Sequence, residues 1–502
     1  MKQLLLSLLT VFLFFQGVSQ AQNCFSIIAG KGATVDGSVL VAHNEDDFGD
    51  MIVNWYIANS KEGDKRNSEQ ADVAVALEHP FAVVAPEKPE NLDRMVKGNL
   101  IKYLWLEMPG MHFSDSYMNE FGVVVCSNAC GSREDKPELS EGGISWELRN
   151  SMATLGKSAR EAIHIGARLI ESRGYTGSGR TYIVADPKEA WMMSVVNGKH
   201  WVARRLGDNE VAVIPNYYTI KEVNLKDTMN YLGSADLITY AKNRGWYHPD
   251  INGKFNFREV YGDPSNLQHL ENIGRKWAAV NLLAKEKVEM GNNFAWSFVP
   301  KKKLSPADLM KVLSNHYEGT DLDDTENYKL RNPHELKPHG VCASHNQYGF
   351  VAQLRSFMPA PIGNVMWLAP RRPCINAFTP WYIGITYIPE GYASRSFEEA
   401  LNNHFEAPEK PCADGGNYIY CDYASFCEQM DKQYDRHIVS VRAKVEAFQK
   451  SLFEQQKAFE EKAMAVWKKD PQRAAIMLTR YTHQQSSSGV RLNAGIFEDG
   501  NQ

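Results

Sequence analysis

The sequence CFSIIAG at residues 24–30, followed by DGSVLVAHNED at residues 36–46, decides how the chain begins to fold. Both halves have the apolar composition of buried strands, and the Asp-Gly pair between them is a turn signal, so the segment predicts a β-hairpin. The hairpin returns the acidic end of its second strand towards Cys24. A loop that closes between the two glycines puts His43 opposite Cys24, whereas a tight Asp-Gly turn shifts that register, and the sequence leaves both arrangements open.

The chain opens with the features of a cleaved export signal. A charged start precedes an apolar run at residues 4–15, and Ser19 and Ala21 are the small residues that signal peptidase requires. We therefore expect a signal peptide at residues 1–21, a short propeptide at residues 22–23, and export to the periplasm or the extracellular medium. After the signal, no apolar run approaches the ~20 residues that cross a bilayer, so no membrane span is expected.

Removal of the propeptide would leave Cys24 with a free α-amine. A thiol with a pKa of ~8.5 is a weak nucleophile at neutral pH until a base takes its proton. An α-amine titrates at ~7.7–8.0 and lies on the same residue, so Cys24 would carry both nucleophile and base. Asn23 makes a poor signal-peptidase site, and we therefore expect autocatalytic cleavage before Cys24. Asp46, at the end of the returning strand, is expected to orient the new ammonium.

Mixed strand and helix patterns follow the hairpin. Residues 118–130 are typical of a turn that leads into a buried strand, and Asn128 lies at the end of that strand. A fixed amide in such a place is the kind of donor that stabilises a tetrahedral oxyanion. Helical periodicity at residues 144–153 and 158–172 precedes three short strands. Periodicity alone supports a mixed α and β class.

The order of these motifs resembles that of the N-terminal-nucleophile cysteine dipeptidases, relatives of choloylglycine hydrolase and the secernins. The family begins with Cys, an apolar strand, Asp-Gly-Ser and Ala-Arg-x-x-Asp, and His43 stands here in place of the arginine. An Asn-Glu-x-Gly turn at residues 119–122, an Ala-Asp-Pro turn at 185–187 and a His-Trp-Val-Ala strand at 200–203 follow in the family's order. The resemblance covers residues 24–392.

The resemblance implies an α+β fold, namely the four-layer α/β/β/α sandwich of N-terminal-nucleophile hydrolases, and a thiol peptidase that hydrolyses dipeptides. It also implies roles for particular side chains: Cys24 as nucleophile, Asp46 as the group that orients the amine, Asn128 and Asn216 as oxyanion donors, Arg275 in the active site, and His43 at the substrate. We assign residues 24–392 to this domain and residues 393–502 to a loop and helical C-terminal extension packed on it.

Other functions fit the same opening segment. An N-terminal cysteine amidase acting on another acyl-amide, such as a bile salt or an acyl amino acid, would use the same nucleophile. A non-catalytic binding protein lipidated at Cys24 is a further alternative, although Ala21-Gln22-Asn23 departs from the small and apolar residues that lipidation requires. A scaffold that works through the C-terminal helix around Val441 has only heptad-like spacing in its favour.

Charge and cysteine spacing limit the partners. A formal net charge of −5 gives no electrostatic reason to expect nucleic acid or an anionic membrane, so the expected partner is a small peptide, and self-association is left open. No Cys-x-x-Cys or His-x-x-x-His spacing indicates zinc, and no metal or cofactor is expected. Three of the 8 cysteines, Cys412, Cys421 and Cys427, are close enough in sequence to predict a local disulfide.

The C-terminal part has strong helical periodicity. Ile438, Val441 and Val445 begin an apolar series at 3/4 spacing within residues 425–469, which favours a helix packed on the main domain over a coiled coil. The polar sequence after Gln484 is expected to be a mobile tail.

Overall fold

The structure, a computed structural model, describes residues 24–47, 51–58, 101–291, 293–409, 412, 418–494 and 496–497. The expected signal peptide at residues 1–21 and propeptide at residues 22–23 lie outside these residues. They remain predictions.

The described strands form two antiparallel sheets. In chain order they are β1 (Phe25–Ala29), β2 (Val39–Asp46), β3 (Asn54–Ala58), β4 (Tyr103–Glu107), β5 (Ser116–Asn119), β6 (Val124–Ala129), β7 (Tyr175–Ala185), β8 (Ala190–Gly198), β9 (Trp201–Arg205), β10 (Val211–Ile214), β11 (Tyr231–Gly233), β12 (Asn346–Leu354), β13 (Asn364–Pro370) and β14 (Thr379–Tyr382). The 6-stranded sheet has the order β10-β1-β2-β12-β13-β14, and the 8-stranded sheet has the order β11-β9-β8-β7-β6-β5-β4-β3. The first hairpin therefore lies inside one sheet, with neighbours on both sides.

The described helices flank these sheets. They are α1 (Trp146–Leu155), α2 (Ala159–Arg173), α3 (Leu237–Asn243), α4 (Pro249–Asn252), α5 (Phe257–Tyr261), α6 (Pro264–Gln268), α7 (Leu270–Leu283), α8 (Pro306–Leu313), α9 (Ala360–Gly363), α10 (Phe397–Asn402), α11 (Ile419–Lys432), α12 (Tyr434–Trp467) and α13 (Pro471–Ala494). Helices α1 and α2 pack on the 8-stranded sheet, whereas α7, α8 and α13 pack on the 6-stranded sheet. Among the described residues, no helix combines the length and apolar composition that crossing a bilayer requires.

Side chains of the central strands alternate between two hydrophobic layers. In β7, Ile183 belongs to a cluster shared by both sheets and the C-terminal helices, whereas Val184 belongs to a cluster that contains Met152 of α1 and Ile163 of α2. Successive residues of a strand point to opposite faces, so a strand buried on both faces has the continuous apolar sequence seen here. The layers therefore follow the order helix, sheet, sheet, helix. The predicted α+β class and four-layer sandwich are confirmed.

The first hairpin has a longer loop than a tight turn would give. Ser26 pairs with His43, and the last pair before the loop joins Ala29 to Leu40. The loop is held locally, since the Asp36 carboxylate accepts from the main-chain N–H of Ser38 at 3.1 Å. Continuing this register puts Glu45 opposite Cys24. The arrangement in which His43 lies opposite Cys24 is therefore wrong.

The C-terminal extension packs on the sandwich, but its helices differ from those expected. The expected continuous helix is interrupted at Gln433, between α11 and α12. The expected mobile tail after Gln484 is wrong, because α13 continues to Ala494. Leu478 and Thr482 of α13 are fully buried, so packing outweighs the polar composition of this segment. The domain boundary at residue 392 stays a prediction.

A disulfide joins Cys412 to Cys421, which confirms the expected local bridge. Cys427 is a free, buried thiol. A buried ion pair between Arg355, which directly follows β12, and Glu460 of α12, with an N–O distance of 2.6 Å, further connects the extension to the 6-stranded sheet. A pair removed from water in this way must keep both partners, because either charge alone would be costly to bury.

Candidate active site

Cys24 directly precedes β1 and is fully buried. Its Sγ donates to Oε1 of Glu45 at 3.2 Å and approaches the main-chain oxygen of Asp46 at 3.9 Å. Burial raises the pKa of the Cys24 thiol well above its ordinary value, and the charges of Glu45 and Asp46 raise it further, while Arg180 acts in the opposite direction. In this arrangement the sulfur keeps its proton at neutral pH, so a nucleophilic role requires a base.

Four side chains of the hairpin share one face, because alternate residues of paired strands point the same way. Glu45 accepts from Cys24 through Oε1, and its Oε2 lies 2.8 Å from Nε2 of His43. The Nδ1 of His43 lies 2.8 Å from Oγ of Ser26, and that hydroxyl donates to Oδ1 of Asn128 on β6 at 2.6 Å. A continuous chain of hydrogen bonds therefore runs from the thiol of Cys24 into the opposite sheet.

The donor and the acceptor of each hydrogen bond in this series can be assigned by starting from Asn128. Its amide group donates to the main-chain oxygens of Cys24 at 3.0 Å and Ile214 at 2.8 Å, so its Oδ1 accepts the hydroxyl proton of Ser26. Ser26 has no second proton and must accept from Nδ1–H of His43. The short contact between His43 Nε2 and Glu45 then holds one shared proton, as an imidazolium–carboxylate or an imidazole–carboxylic acid pair.

A second network lies at the end of β2 and uses the opposite face of the strand. Arg275 of α7 has its Nη1 3.8 Å from the Asp46 carboxylate and donates from Nη2 to Oδ1 of Asn216 at 2.9 Å. Asn346 donates to the Asp46 carboxylate, and Oδ1 of Asn272 accepts from Arg275 at 2.9 Å. Burial raises the pKa of Asp46 well above its ordinary value, although the charge of Arg275 opposes this effect. The structure thus brings Asp46, Asn216 and Arg275 together.

All six residues predicted from the sequence lie in these two networks, while their catalytic and binding roles stay predictions. His43 is fully buried, with its ring 5.5 Å from that of Phe350, and it reaches Cys24 through Glu45. Both amide hydrogens of Asn128 are taken by main-chain oxygens, so in this arrangement it joins the two sheets.

Sequence reasoning missed Glu45, Ser26 and Arg180. Glu45 lies between His43 and Asp46, which were both predicted as site residues, and the hairpin register alone would have identified it. Ser26 shares the face of Cys24 by simple alternation along β1. Arg180 lies on β7, donates to Oγ of Ser127 at 3.1 Å, and lowers the pKa of Cys24. It arrives from another part of the chain, and no local pattern signalled it.

Outside these two networks, four buried side chains are arranged so that they could hold one metal ion. They are His316, His334, Cys342 and Cys374.

The sequence profile of Peptidase family C69 matches residues 23–408. A "Probable dipeptidase" of Salmonella dublin is 24% identical over 390 residues, which cover 75% of this chain and 84% of that protein. A "Probable dipeptidase B" of Streptococcus pyogenes serotype M1 is 25% identical over 422 residues, which cover 78% of this chain and 77% of that protein.

The solved structure of penicillin V acylase from Agrobacterium tumefaciens aligns with 69% of this chain and 82% of its own, at 11% identity and a TM-score of 0.29. That likeness is too weak to support a conclusion about this protein. The family profile, in contrast, spans most of the chain, including the hairpin and both networks. The chain therefore belongs to Peptidase family C69 and is a peptidase that acts on peptide bonds.

Proposed function

We propose that the protein is an exported cysteine dipeptidase whose nucleophile is the Cys24 thiol. Relatives that carry the name dipeptidase support the substrate class. The export signal expected at residues 1–21 supports the location. The single observation that supports Cys24 as the nucleophile is the hydrogen bond from its Sγ to Glu45. Cys24 directly follows the propeptide expected at residues 22–23 and directly precedes β1.

In the mature enzyme, the α-amine of Cys24 takes the thiol proton as sulfur attacks the carbonyl carbon of the substrate. The resulting oxyanion collapses, the C–N bond breaks, and the amine shuttles its proton to the leaving amino acid. Water then hydrolyses the thioester and restores the thiol. An α-amine titrating at ~7.7–8.0 suits both proton transfers.

The oxyanion donor we favour is Asn216. Both amide hydrogens of Asn128 are occupied by main-chain oxygens, whereas Asn216 donates one amide hydrogen to the main-chain oxygen of Ala129 at 3.0 Å. Arg275 fixes the Asn216 side chain by binding its Oδ1. A donor held in this way loses little freedom when the negative oxygen forms.

Self-processing needs a different base. Before cleavage the nitrogen of Cys24 is acylated by Asn23, and an amide nitrogen cannot accept the thiol proton at neutral pH. Glu45 already accepts a hydrogen bond from Sγ, and His43 is bonded to the other oxygen of the same carboxylate. We therefore assign removal of the thiol proton in the precursor to the Glu45–His43 pair.

The test combines intact mass with turnover. Wild type, Cys24→Ala and Cys427→Ala are expressed as full chains and weighed, and their hydrolysis of a dipeptide series is measured. Wild type and Cys427→Ala should begin at Cys24 and hydrolyse dipeptides. Cys24→Ala should keep Gln22-Asn23 and be inactive.

Each result that would contradict the proposal overturns a different part of it. Equal processing of wild type and Cys24→Ala would overturn self-cleavage alone. Full activity of Cys24→Ala would overturn the nucleophile. Cys24-dependent cleavage of N-acyl amides, with dipeptides left intact, would overturn the substrate class and keep the mechanism. Export is tested by fractionating cells that express the chain with and without residues 1–21.

A further inference from the structure

We propose that His316, His334, Cys342 and Cys374 bind a structural zinc ion. All four side chains are buried, and one potential ligand atom from each lies within 4.8 Å of the other three. Two imidazoles and two thiols form the Cys2His2 ligand set typical of structural zinc sites. The site is separate from the Cys24 thiol, and the proposal does not depend on the assigned dipeptidase chemistry.

The spacing of the ligand atoms suits zinc. Zn–S bonds of ~2.3 Å and Zn–N bonds of ~2.0–2.1 Å give a tetrahedron with edges of about 3.3–3.8 Å. Nε2 of His334 lies 3.2 Å from Sγ of Cys374 and 3.8 Å from Sγ of Cys342. Small movements of side chains already in place would complete the tetrahedron.

A second layer orients both histidines as metal ligands require. Nδ1 of His316 is 3.1 Å from a carboxylate oxygen of Glu318, and Nδ1 of His334 is 2.8 Å from one of Asp431. Each carboxylate leaves Nε2 as the nitrogen that faces the metal, and carboxylate–histidine pairs of this kind fix the ligand tautomer and strengthen metal binding.

The carboxylates are themselves paired with arginines. Arg442 lies 2.9 Å from the Glu318 carboxylate, and Arg372 lies 2.7 Å from that of Asp431. The hydroxyl of Tyr434 donates to Sγ of Cys374 at 3.7 Å. Two thiolates would neutralise a divalent ion, and the two arginines neutralise the two carboxylates, so the buried cluster would carry no net charge. A hydrophobic cluster alone would not require this pairing.

The ion would join parts of the chain that are far apart in sequence. His316 follows α8, His334 lies in the 3-10 turn Pro333–Glu335, Cys342 precedes β12, and Cys374 lies between β13 and β14. Asp431 and Tyr434 bring the ends of α11 and α12 to the same place. Because the ligands come from separate segments, the sequence had no metal-binding spacing to detect, and the expectation of no metal arose from that.

The proposed zinc site also lies next to the network that contains Asp46. Val341, which precedes Cys342, accepts from the Asn44 side chain of β2 at 2.9 Å. The side chain of Asn346 accepts from the main-chain N–H of Ala343 at 2.7 Å and donates to Asp46. A metal bound to Cys342 would therefore fix the segment that supports Asp46.

The experiment measures metal in the full-length protein purified without chelators from zinc-supplemented cells. Wild type should contain one zinc ion per chain by plasma mass spectrometry, while Cys342→Ser and Cys374→Ser should contain little or none. Cys427→Ser is the matched control, because Cys427 is a buried thiol of the same hydrophobic cluster outside the ligand set, and it should keep its zinc.

Two measurements on wild type guard against variants that fail to fold. Removal of zinc with a strong chelator should lower Tm by at least about 5 °C, and returning zinc should restore it. Cobalt added to the chelated protein should give the intense absorption of a tetrahedral Co²⁺ thiolate complex. Retention of zinc by Cys342→Ser and Cys374→Ser would overturn the proposal. A zinc-free wild type that takes up no cobalt, with Cys342 disulfide-linked to Cys374 by non-reducing peptide mass, would overturn it equally.

Discussion

Cys24 and Cys374 are both buried thiols, and they lie among opposite charges. Cys24 faces the carboxylates of Glu45 and Asp46, which add to burial in raising its pKa. Burial alone would raise the pKa of Cys374 too, but the hydrogen bond from Cys342 and the nearby His334 and His316 lower it well below its ordinary value.

The difference shows that neighbouring charges decide what a buried thiol can do. A thiol among carboxylates keeps its proton until a base accepts it, so the proposed nucleophile depends on a nearby base. A thiol among imidazoles readily becomes a thiolate, which is the form that binds metal. The interior therefore holds two buried thiols in opposite electrostatic surroundings.

The largest expected effect separates the two thiols by function. Cys24→Ala should lower kcat/KM on a good dipeptide by at least ~1000-fold, because the nucleophile is lost, and should leave the zinc content unchanged. Cys374→Ser should lose zinc and melt earlier. Dipeptide kinetics, metal analysis and thermal melts on the same preparations check both. Loss of zinc from Cys24→Ala would show that the sites are not independent.

Glu45→Gln tests the carboxylate that faces Cys24. It removes the proposed proton acceptor of the precursor while keeping the shape of the side chain, so processing should slow by ~100-fold or more. Intact mass followed over time after synthesis measures the rate. Glu107→Gln is the matched control, since Glu107 is also fully buried and lies beside a histidine, with Oε1 3.1 Å from Nδ1 of His404, outside both site networks. Normal processing of Glu45→Gln would remove Glu45 from the precursor chemistry.

Asp46→Asn tests the cost of burying the second carboxylate. The folded pKa of Asp46 is raised, so above ~3.9 the unfolded chain loses this proton while the folded chain keeps it. Stability contributed by this group is complete below ~3.9 and falls by ~1.4 kcal/mol per pH unit up to the folded pKa.

The measurement is best made on the unprocessed chain. In the Cys24→Ala background, Asp46→Asn should gain Tm relative to its Asp46 parent as pH rises from ~4 to 7. With Cys24 present, the same substitution should reduce turnover. A Tm difference that does not vary with pH would contradict the pKa argument, and full turnover would remove Asp46 from the site.

Local sequence patterns predicted much of the fold. The strand hairpin depends on apolar composition and a turn signal, both of which are local features of the sequence. Asn216 and Arg275 were predicted from the family resemblance, and Arg275 joins Asn216 to Asp46 in the structure.

What sequence reasoning could not supply depends on contacts between distant segments. The loop of the first hairpin is held by the chain around Asp208, whose main-chain oxygen accepts from Gly32 at 2.7 Å, and this loop sets the register that puts Glu45 beside Cys24. Arg180 reaches the thiol only through the pairing of β6 with β7. The four proposed zinc ligands come from segments that meet beside the 6-stranded sheet, far apart in sequence.

The smallest expected effect comes from His43, which acts on Cys24 through Glu45. Its Nε2 contacts Glu45 and its Nδ1 contacts Ser26, so two amide substitutions can keep one contact each. In His43→Gln the amide nitrogen can take the place of Nε2, and in His43→Asn it can take the place of Nδ1. If the Glu45 contact orients the proton acceptor, His43→Asn should process about tenfold more slowly than His43→Gln, since a hydrogen bond to a charged group contributes ~1.5–3 kcal/mol. Both variants lose the aromatic contact with Phe350 alike, so a general packing defect would slow them equally. Intact mass over time, with thermal melts as the control for folding, measures the ratio. Equal processing rates would reduce His43 to a packing residue and leave Glu45 as the sole base.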